Sequence, residues 1–146
     1  MRQALVNDRP VSILLVEDDD VDVMAVKRAF SKLKITNPLH VAKDGVEALT
    51  LLRGENGSKP LTRPFIILLD LNLPRMNGIE FLRQLRHDPE LRSALIFVLT
   101  TSRDENDRVA AYELNVAGYI VKSKIGKDCI ELVTMLNHYW KLIEFP

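Results

Sequence analysis

The sequence lacks the features that mark several large classes of protein. It has one cysteine, Cys129, among 146 residues, so no internal disulfide forms and a reducing compartment is expected. No apolar run approaches the roughly 20 residues needed to cross a bilayer. Residues 1–10 contain no apolar stretch of the kind found in secretory signals. We therefore expect a cytoplasmic protein with no membrane partner.

Neither sign of charge is in excess. Twenty Lys and Arg residues balance twenty Asp and Glu residues, which gives a formal net charge of zero. A balanced chain has no bulk attraction for polyanions, so nucleic acid is not an expected partner. The three histidines, His40, His87 and His138, lack the spacing of metal ligands, and a histidine metal site is not expected either.

What the chain does have is a set of short apolar runs separated by segments of helical periodicity. The runs are Ser12–Val16, Pro38–Ala42, Phe65–Leu69, Leu95–Leu99 and Gly118–Val121. Most are rich in Val, Ile and Leu without polar alternation, which is typical of strands covered on both faces. Five strand–helix repeats predict one α/β domain: a doubly wound, five-stranded parallel sheet flanked by five helices. Its core is expected from about residue 11 to 143, after an N-terminal extension of residues 1–10.

The periodicity also predicts which helical residues face the core. The expected inward residues are Val21, Met24, Ala25, Phe30 and Leu33 in the first helix, Val46, Leu49 and Leu52 in the second, Ile79, Leu82 and Leu85 in the third, and Val109, Tyr112 and Val116 in the fourth. Asp44–Gly45 and Asn77–Gly78 are expected to begin the second and third helices as caps.

The last helix is predicted from about Ile125 to Ile143. Its expected inner stripe is Cys129, Leu132, Val133, Leu136, Tyr139, Trp140 and Ile143, widened by Met135 and Leu142, with Ile130 and Phe145 falling away from it. That is more apolar surface than docking on a sheet requires, which favours a homodimer through the fourth helix, fifth strand and fifth helix. The alternative is a wide buried stripe with a folded-back tail.

Polar side chains follow four of the five predicted strands. Glu17 and Asp18 follow the first strand, Asp70 the third, Thr100 the fourth and Lys122 the fifth. Ligands of an open parallel sheet bind beyond the carboxyl ends of its strands, so these groups are expected to meet at one edge.

The chemistry of these groups is coherent. Clustered carboxylates repel one another and need a cation, and oxygen ligands favour Mg²⁺, with Mn²⁺ as a substitute. A rigidly held Asp70 is suited to attack phosphorus, while Lys122 neutralises charge on the transferring group.

Four segments, LLVEDD, ILLDLNLPRMNG, VLTTS and AGYIVKS, occur in this order and resemble the receiver domains of two-component response regulators. The resemblance extends from about Val11 to Trp140 and implies a flavodoxin-like strand order, 2-1-3-4-5. It implies these roles: Asp18 as a direct Mg²⁺ ligand, Glu17 as a ligand through water, Asp70 as phosphoacceptor and metal ligand, the main-chain carbonyl of Asn72 as a further ligand, Thr100 as the hydroxyl that moves to the phosphate, Tyr119 as an aromatic switch, and Lys122 as the phosphate-binding amine.

The resemblance also implies a partner histidine kinase. Three features look most like stand-alone receivers that partner phytochrome kinases. They are the Lys-Ser pair that ends AGYIVKS, the long loop before the third strand and the aromatic C-terminal tail, HYWKLIEFP. Since no second domain follows within the 146 residues, the signal is expected to leave through protein contact to an unidentified target. One departure is Ser123, because the family usually has Pro after this lysine, often in a cis peptide; the isomer of the Lys122–Ser123 bond is left open.

Two other interpretations fit these residues less well. A Mg²⁺-dependent phosphatase of the haloacid-dehalogenase type would need an Asp two residues after the nucleophile, where this chain has Asn72, which cannot transfer a proton in that way. A degenerate receiver acting only as a binding module would lack a key side chain, whereas all of them are present. The sequence thus favours a phosphorylated switch over a turnover enzyme.

Overall fold

Five strands form one parallel sheet in the computed structural model, which describes residues 5–6, 9–57, 59–125 and 129–146. A two-stranded antiparallel hairpin, β1 (Leu5–Val6) and β2 (Arg9–Pro10), precedes the sheet. The sheet strands are β3 (Ser12–Val16), β4 (Leu39–Ala42), β5 (Phe65–Leu69), β6 (Leu95–Thr100) and β7 (Gly118–Val121). They lie in the order β4-β3-β5-β6-β7, which is 2-1-3-4-5 when only these strands are counted. The predicted fold class is confirmed.

In the part of the chain that the structure describes, five α-helices connect and cover these strands. They are α1 (Asp20–Lys32), α2 (Gly45–Arg53), α3 (Gly78–His87), α4 (Glu105–Glu113) and α5 (Ile130–Leu142). Alternate residues of β3, β5 and β6 point into two apolar cores, one shared with α1 and α5 and the other with α2, α3 and α4. Both faces of the central strands are therefore buried, as their unbroken apolar runs predict. None of the helices in the described residues is long and apolar enough to span a membrane.

The two predicted helix caps are confirmed. The side chain of Asp44 accepts a hydrogen bond from the main-chain N–H of Glu47, and Asn77 accepts one from Glu80. Each bond satisfies an N–H group that the first turn of a helix leaves without a partner. Both caps follow strands at the carboxyl edge of the sheet, so they fix where α2 and α3 leave that edge.

The inner face predicted for α1 and α4 was only partly right. Val21 and Met24 are 72% and 49% exposed, and Val109 and Tyr112 are 47% and 49% exposed. The predicted residues Ala25, Phe30 and Val116 are buried. The structure adds Val23, Val26 and Ala29 in α1 and Ala111 in α4. Valines at positions 21, 23 and 26 support two overlapping stripes, and the direction in which the chain leaves β3 decides which one meets the sheet.

The last helix begins later than predicted. It starts at Ile130 rather than Ile125; a 3₁₀ turn covers Lys122–Lys124, and the predicted helical residues 126–128 lie outside the described ones. The predicted inner residues Leu132, Val133, Leu136 and Trp140 are buried.

The ends of α5 also depart from the prediction. Ile130 and Phe145, expected to fall away from the stripe, pack against the core shared by α1 and α5, while Leu142 is 84% exposed. After Leu142 the chain leaves the helix and Phe145 packs back onto the core, as the alternative of a folded-back tail expected, but Leu142 is not buried as the stripe of that alternative required.

Arg86 ties the end of α3 to two neighbouring segments. Its guanidinium donates to the carbonyls of Leu114 and Asn115 after α4, at 2.7 and 3.0 Å. It also donates to the carbonyls of Arg92 and Ala94, both at 2.8 Å, just before β6. One side chain thus donates hydrogen bonds to four main-chain carbonyls that lie in loops, outside the regular hydrogen bonding of helices and sheets.

Replacing Arg86 with methionine should lower the free energy of unfolding by about 2–3 kcal/mol, because several charge-assisted hydrogen bonds are lost together. Urea denaturation followed through the fluorescence of the buried Trp140 measures this. Arg83→Met is the control, since Arg83 is exposed on the same helix, and it should change stability by less than about 0.5 kcal/mol. Equal losses in the two variants would contradict the role given to Arg86.

Candidate metal and phosphoryl site

Three carboxylates meet at the carboxyl edge of the sheet. Glu17 and Asp18 follow β3, Asp70 follows β5, and one oxygen of each lies within 4.8 Å of the others. The pairing of Val16 with Leu69 brings these strand ends side by side, and the Asp70 N–H donates to the Val16 carbonyl at 3.0 Å. Glu17 and Asp70 are buried whereas Asp18 is exposed.

Lys122 joins this acidic cluster from the end of β7. Its Nζ donates to Glu17 Oε1 at 2.5 Å, to Asp22 Oδ2 at 2.6 Å and to Asp70 Oδ2 at 3.1 Å. Residues more than 100 positions apart in the chain thus form one charged cluster. The structure places the predicted residues Glu17, Asp70 and Lys122 in direct contact.

Asp22 is a partner of Lys122 that sequence reasoning missed. It lies in the first turn of α1, four residues after Asp18. The run of acids from Glu17 to Asp22 carried that signal, but the prediction covered only the residues at the strand ends.

Asn72 lies beside Asp70, in the loop that leaves β5. Its main-chain N–H donates to Asp70 Oδ1 at 3.0 Å, which fixes one oxygen of that carboxylate. Farther along the loop, Arg75 pairs with the buried Asp44 at 2.6 Å. Gly78 closes the loop by donating to the Leu71 carbonyl at 3.0 Å. The loop is thereby held on both sides of Asn72.

Thr100 and Tyr119 are linked through Ser102. The buried Thr100 accepts a hydrogen bond from the Ser102 N–H at 3.2 Å, and the Tyr119 hydroxyl donates to the Ser102 carbonyl at 3.1 Å. The Ser102 hydroxyl donates to Asp107 in α4 at 2.7 Å. A movement of the Thr100 hydroxyl would therefore alter the hydrogen bonds that connect Ser102 to Tyr119 and to Asp107 of α4.

Ser123 stands where the family usually has proline. Among the described residues the one cis peptide bond is Arg63–Pro64, so the Lys122–Ser123 bond is trans. The Ser123 hydroxyl accepts a hydrogen bond from Arg103 at 2.7 Å, which connects the loop after β7 to the loop after β6. Lys122 reaches the acidic cluster without the cis proline.

The charges of the cluster shift its proton affinities. Burial and the neighbouring Asp70 raise the pKa of Glu17 to about 8, although Lys122 acts in the opposite direction. Burial disfavours the Lys122 ammonium, but hydrogen bonds to Asp22 and Glu17 outweigh it and raise the pKa of Lys122. Glu17 thus retains a proton near neutral pH that a bound cation would have to displace.

The donor set fits a divalent cation. Glu17, Asp18 and Asp70 offer three carboxylate oxygens within a span of 4.8 Å, and one ammonium group cannot balance their formal charge. Oxygen-only ligands with no nitrogen or sulfur favour a hard ion.

Comparison with known proteins gives consistent results. The model of the family described as "Response regulator receiver domain" matches residues 13–134. Response regulator Rcp1 from Synechocystis sp. is 37% identical over 131 residues, which cover 90% of this chain and 89% of Rcp1. The crystal structure of Mn²⁺-bound Rcp1 matches with a TM-score of 0.82 at 36% identity, covering 94% of this chain and 99% of that one. The phosphorylated cyanobacterial phytochrome response regulator RcpA matches with a TM-score of 0.83 at 33% identity, covering 93% and 98%.

Proposed function

The chain belongs to the response-regulator receiver family of two-component signalling, and we propose that it accepts a phosphoryl group on Asp70. The observation that carries this proposal is the contact of Asp70 with Lys122 inside a cluster of carboxylates. Asp70 offers a nucleophile, and Lys122 offers a positive charge beside it.

In the proposed reaction, a carboxylate oxygen of Asp70 attacks the phosphorus of a phosphohistidine on a partner histidine kinase, or of a small phosphodonor. A new O–P bond forms at Asp70 while the bond to the donor's imidazole nitrogen or acyl oxygen breaks. The leaving group keeps the electron pair, and a leaving imidazole takes up a proton. Lys122 neutralises charge on the phosphoryl oxygens.

Mg²⁺, or Mn²⁺ in its place, would be held by Asp18, Asp70 and the main-chain carbonyl of Asn72, with Glu17 acting through water. Bound there, the ion supplies further charge neutralisation for the transferred group. The oxygen-only donors support the choice of ion, and so does the relative Rcp1, whose crystal structure is of a Mn²⁺-bound form.

The proposed output is a conformational switch rather than catalytic turnover. After transfer, the Thr100 hydroxyl leaves the Ser102 N–H and donates to a phosphoryl oxygen. The link through Ser102 then biases Tyr119 and α4 toward a second conformation that already exists as a minor state. The hydrogen bonds from Ser102 to Asp107 and from Tyr119 to Ser102 support this route.

The partner we propose is a histidine kinase, and a phytochrome is the specific candidate because the relative RcpA is a phytochrome response regulator. A cytoplasmic location follows from such a partner. We propose that the signal passes to a protein target, with neither nucleic acid nor membrane involved.

Incubation with acetyl phosphate and Mg²⁺ tests the function. The expected result is one added phosphoryl group per chain by intact-protein mass spectrometry, lost in alkali and absent when EDTA is present. A protein that remains unmodified, or one modified equally well with EDTA, would contradict the proposal.

We also propose a homodimer through α4, β7 and α5. Val109 and Tyr112 on α4 are about half exposed, and Leu142 at the end of α5 is 84% exposed, which supports an apolar contact in this region. Sedimentation velocity should show a dimer at micromolar concentration, in the presence of beryllofluoride and Mg²⁺ if not in their absence. A monomer under both conditions would exclude it.

Divalent-cation affinity should depend on pH through Glu17. Burial and Asp70 raise the pKa of Glu17 to about 8, so below that pH a proton competes with the ion. The Mg²⁺ association constant should rise about tenfold per pH unit from pH 6 to 7.5 and level off above 8. Calorimetric titration measures it. Glu17→Gln should bind Mg²⁺ more weakly and lose most of this dependence; a variant that kept the full slope would show that another group titrates.

A further inference from the structure

Lys122 has one carboxylate partner that the proposed metal site does not use. Of the three acids among the described residues that contact its ammonium, Glu17 and Asp70 belong to the cluster within 4.8 Å. Asp22 stands outside that cluster on α1, 2.6 Å from Nζ, closer than Asp70 at 3.1 Å. Its side chain is 36% exposed.

A divalent cation would change the balance of these three contacts. Its positive charge would attract the carboxylate oxygens of Glu17 and Asp70 and would repel the Lys122 ammonium. Lysine has a long flexible side chain that gains considerable rotamer freedom when released into solvent. The contact that opposes this release is the one with Asp22.

We propose that Asp22 is a positioning residue that anchors the Lys122 ammonium beside Asp70 while a divalent cation occupies the acidic cluster. The anchor itself concerns only Lys122 and its partners. Its consequence rests on the function proposed above: Lys122 stays within reach of the oxygens of an arriving phosphoryl group and need not be recruited from solvent.

The electrostatics of Lys122 agree with this role. Burial disfavours its charged form. The hydrogen bond to Asp22 is the largest of the contributions that raise the pKa of Lys122 above its ordinary value. Lys122 is also the more deeply placed member of the pair, with its side chain 15% exposed. The more exposed acid therefore holds the less exposed amine.

Trace acylation with acetic anhydride at saturating Mg²⁺ tests the anchor. The rate of acetylation of each lysine is read by peptide mass spectrometry, and Asp22→Asn should raise the rate at Lys122 about fivefold, since a partly exposed charged contact is lost. Asp22→Glu, which keeps the charge, should retain most of the protection. A rate within twofold of wild type in Asp22→Asn would overturn the proposal.

The chain offers a matched control in Asp20→Asn. Asp20 lies in the same turn of α1 and pairs with the half-exposed Lys43. This variant removes the same charge, and it should raise acetylation at Lys43 but not at Lys122. An equal rise at Lys122 would show that net charge on α1, rather than the contact with Asp22, protects the amine, and it would overturn the proposal.

The consequence is measured with acetyl phosphate at saturating Mg²⁺. Asp22→Asn should slow phosphorylation about three- to fivefold, whereas Asp20→Asn should leave the rate unchanged. An unaltered rate in Asp22→Asn would overturn the positioning role. If wild-type protein takes up no phosphate, the proposed function fails, while the acylation rates still decide whether Asp22 anchors Lys122.

Discussion

Asp70→Asn is expected to abolish phosphorylation while the protein stays folded. The carboxamide has nearly the same shape and still accepts the hydrogen bond that Asn72 donates to Oδ1 of this residue at 3.0 Å, but it is a very poor nucleophile toward phosphorus. Phosphate incorporation from acetyl phosphate should fall by more than about 100-fold, measured on Phos-tag gels and by intact mass.

Asp88→Asn serves as the control for Asp70→Asn. Asp88 follows α3 and pairs with Arg53 at 3.1 Å, away from the acidic cluster, so this variant should be phosphorylated like wild type. Undiminished phosphate incorporation in Asp70→Asn would show that another side chain is the phosphoacceptor and would contradict the proposed mechanism.

Gly78→Ala is expected to destabilise the protein by about 2–3 kcal/mol. A Cβ atom at this position would lie 2.6 Å from Leu71 Cα and 2.7 Å from the Asp70 carbonyl oxygen. Both are main-chain atoms of the segment that carries the proposed phosphoacceptor, so relief of the clash requires that segment to move. Urea denaturation should report the loss of stability, and calorimetry should show weaker Mg²⁺ binding.

Gly45→Ala is a closely matched control for Gly78→Ala. Gly45 also begins a helix, after the Asp44 cap, but the atoms nearest to an added Cβ would belong to the flexible Met76 side chain, at 3.0 Å. Its stability should stay within about 1 kcal/mol of wild type because Met76 can shift and alanine favours a helix. If Gly78→Ala were as stable as Gly45→Ala, close approach would not be what requires glycine at position 78.

The sequence was sufficient to predict the sheet and most of the acidic edge. Short apolar runs without polar alternation are typical of buried parallel strands. Residues such as Asp70 and Lys122 follow those strands directly. A group placed at the end of a strand moves with the sheet, so the fold determines its neighbours. The contact of Lys122 with Glu17 could be anticipated for this reason.

Features that depend on helix orientation were not predictable in the same way. Val21 and Val23 fit competing stripes, and tertiary packing rather than periodicity buried Val23. Asp22 was missed because its approach to Lys122 depends on the position of α1 over the sheet. Ser102 joins Thr100 to α4 through its main-chain N–H on one side and its hydroxyl on the other, and both contacts depend on how the loop after β6 folds.

Location of the phosphate is the most direct test of the central claim that the strand ends assemble an acceptor at Asp70. After incubation with acetyl phosphate and Mg²⁺, borohydride reduction converts an aspartyl phosphate to homoserine, which peptide mass spectrometry assigns to one position. Homoserine at position 70, and its absence when Mg²⁺ is chelated, is the predicted result. Homoserine at position 18 or 22 instead, or phosphate recovered on a serine or threonine, would contradict the claim.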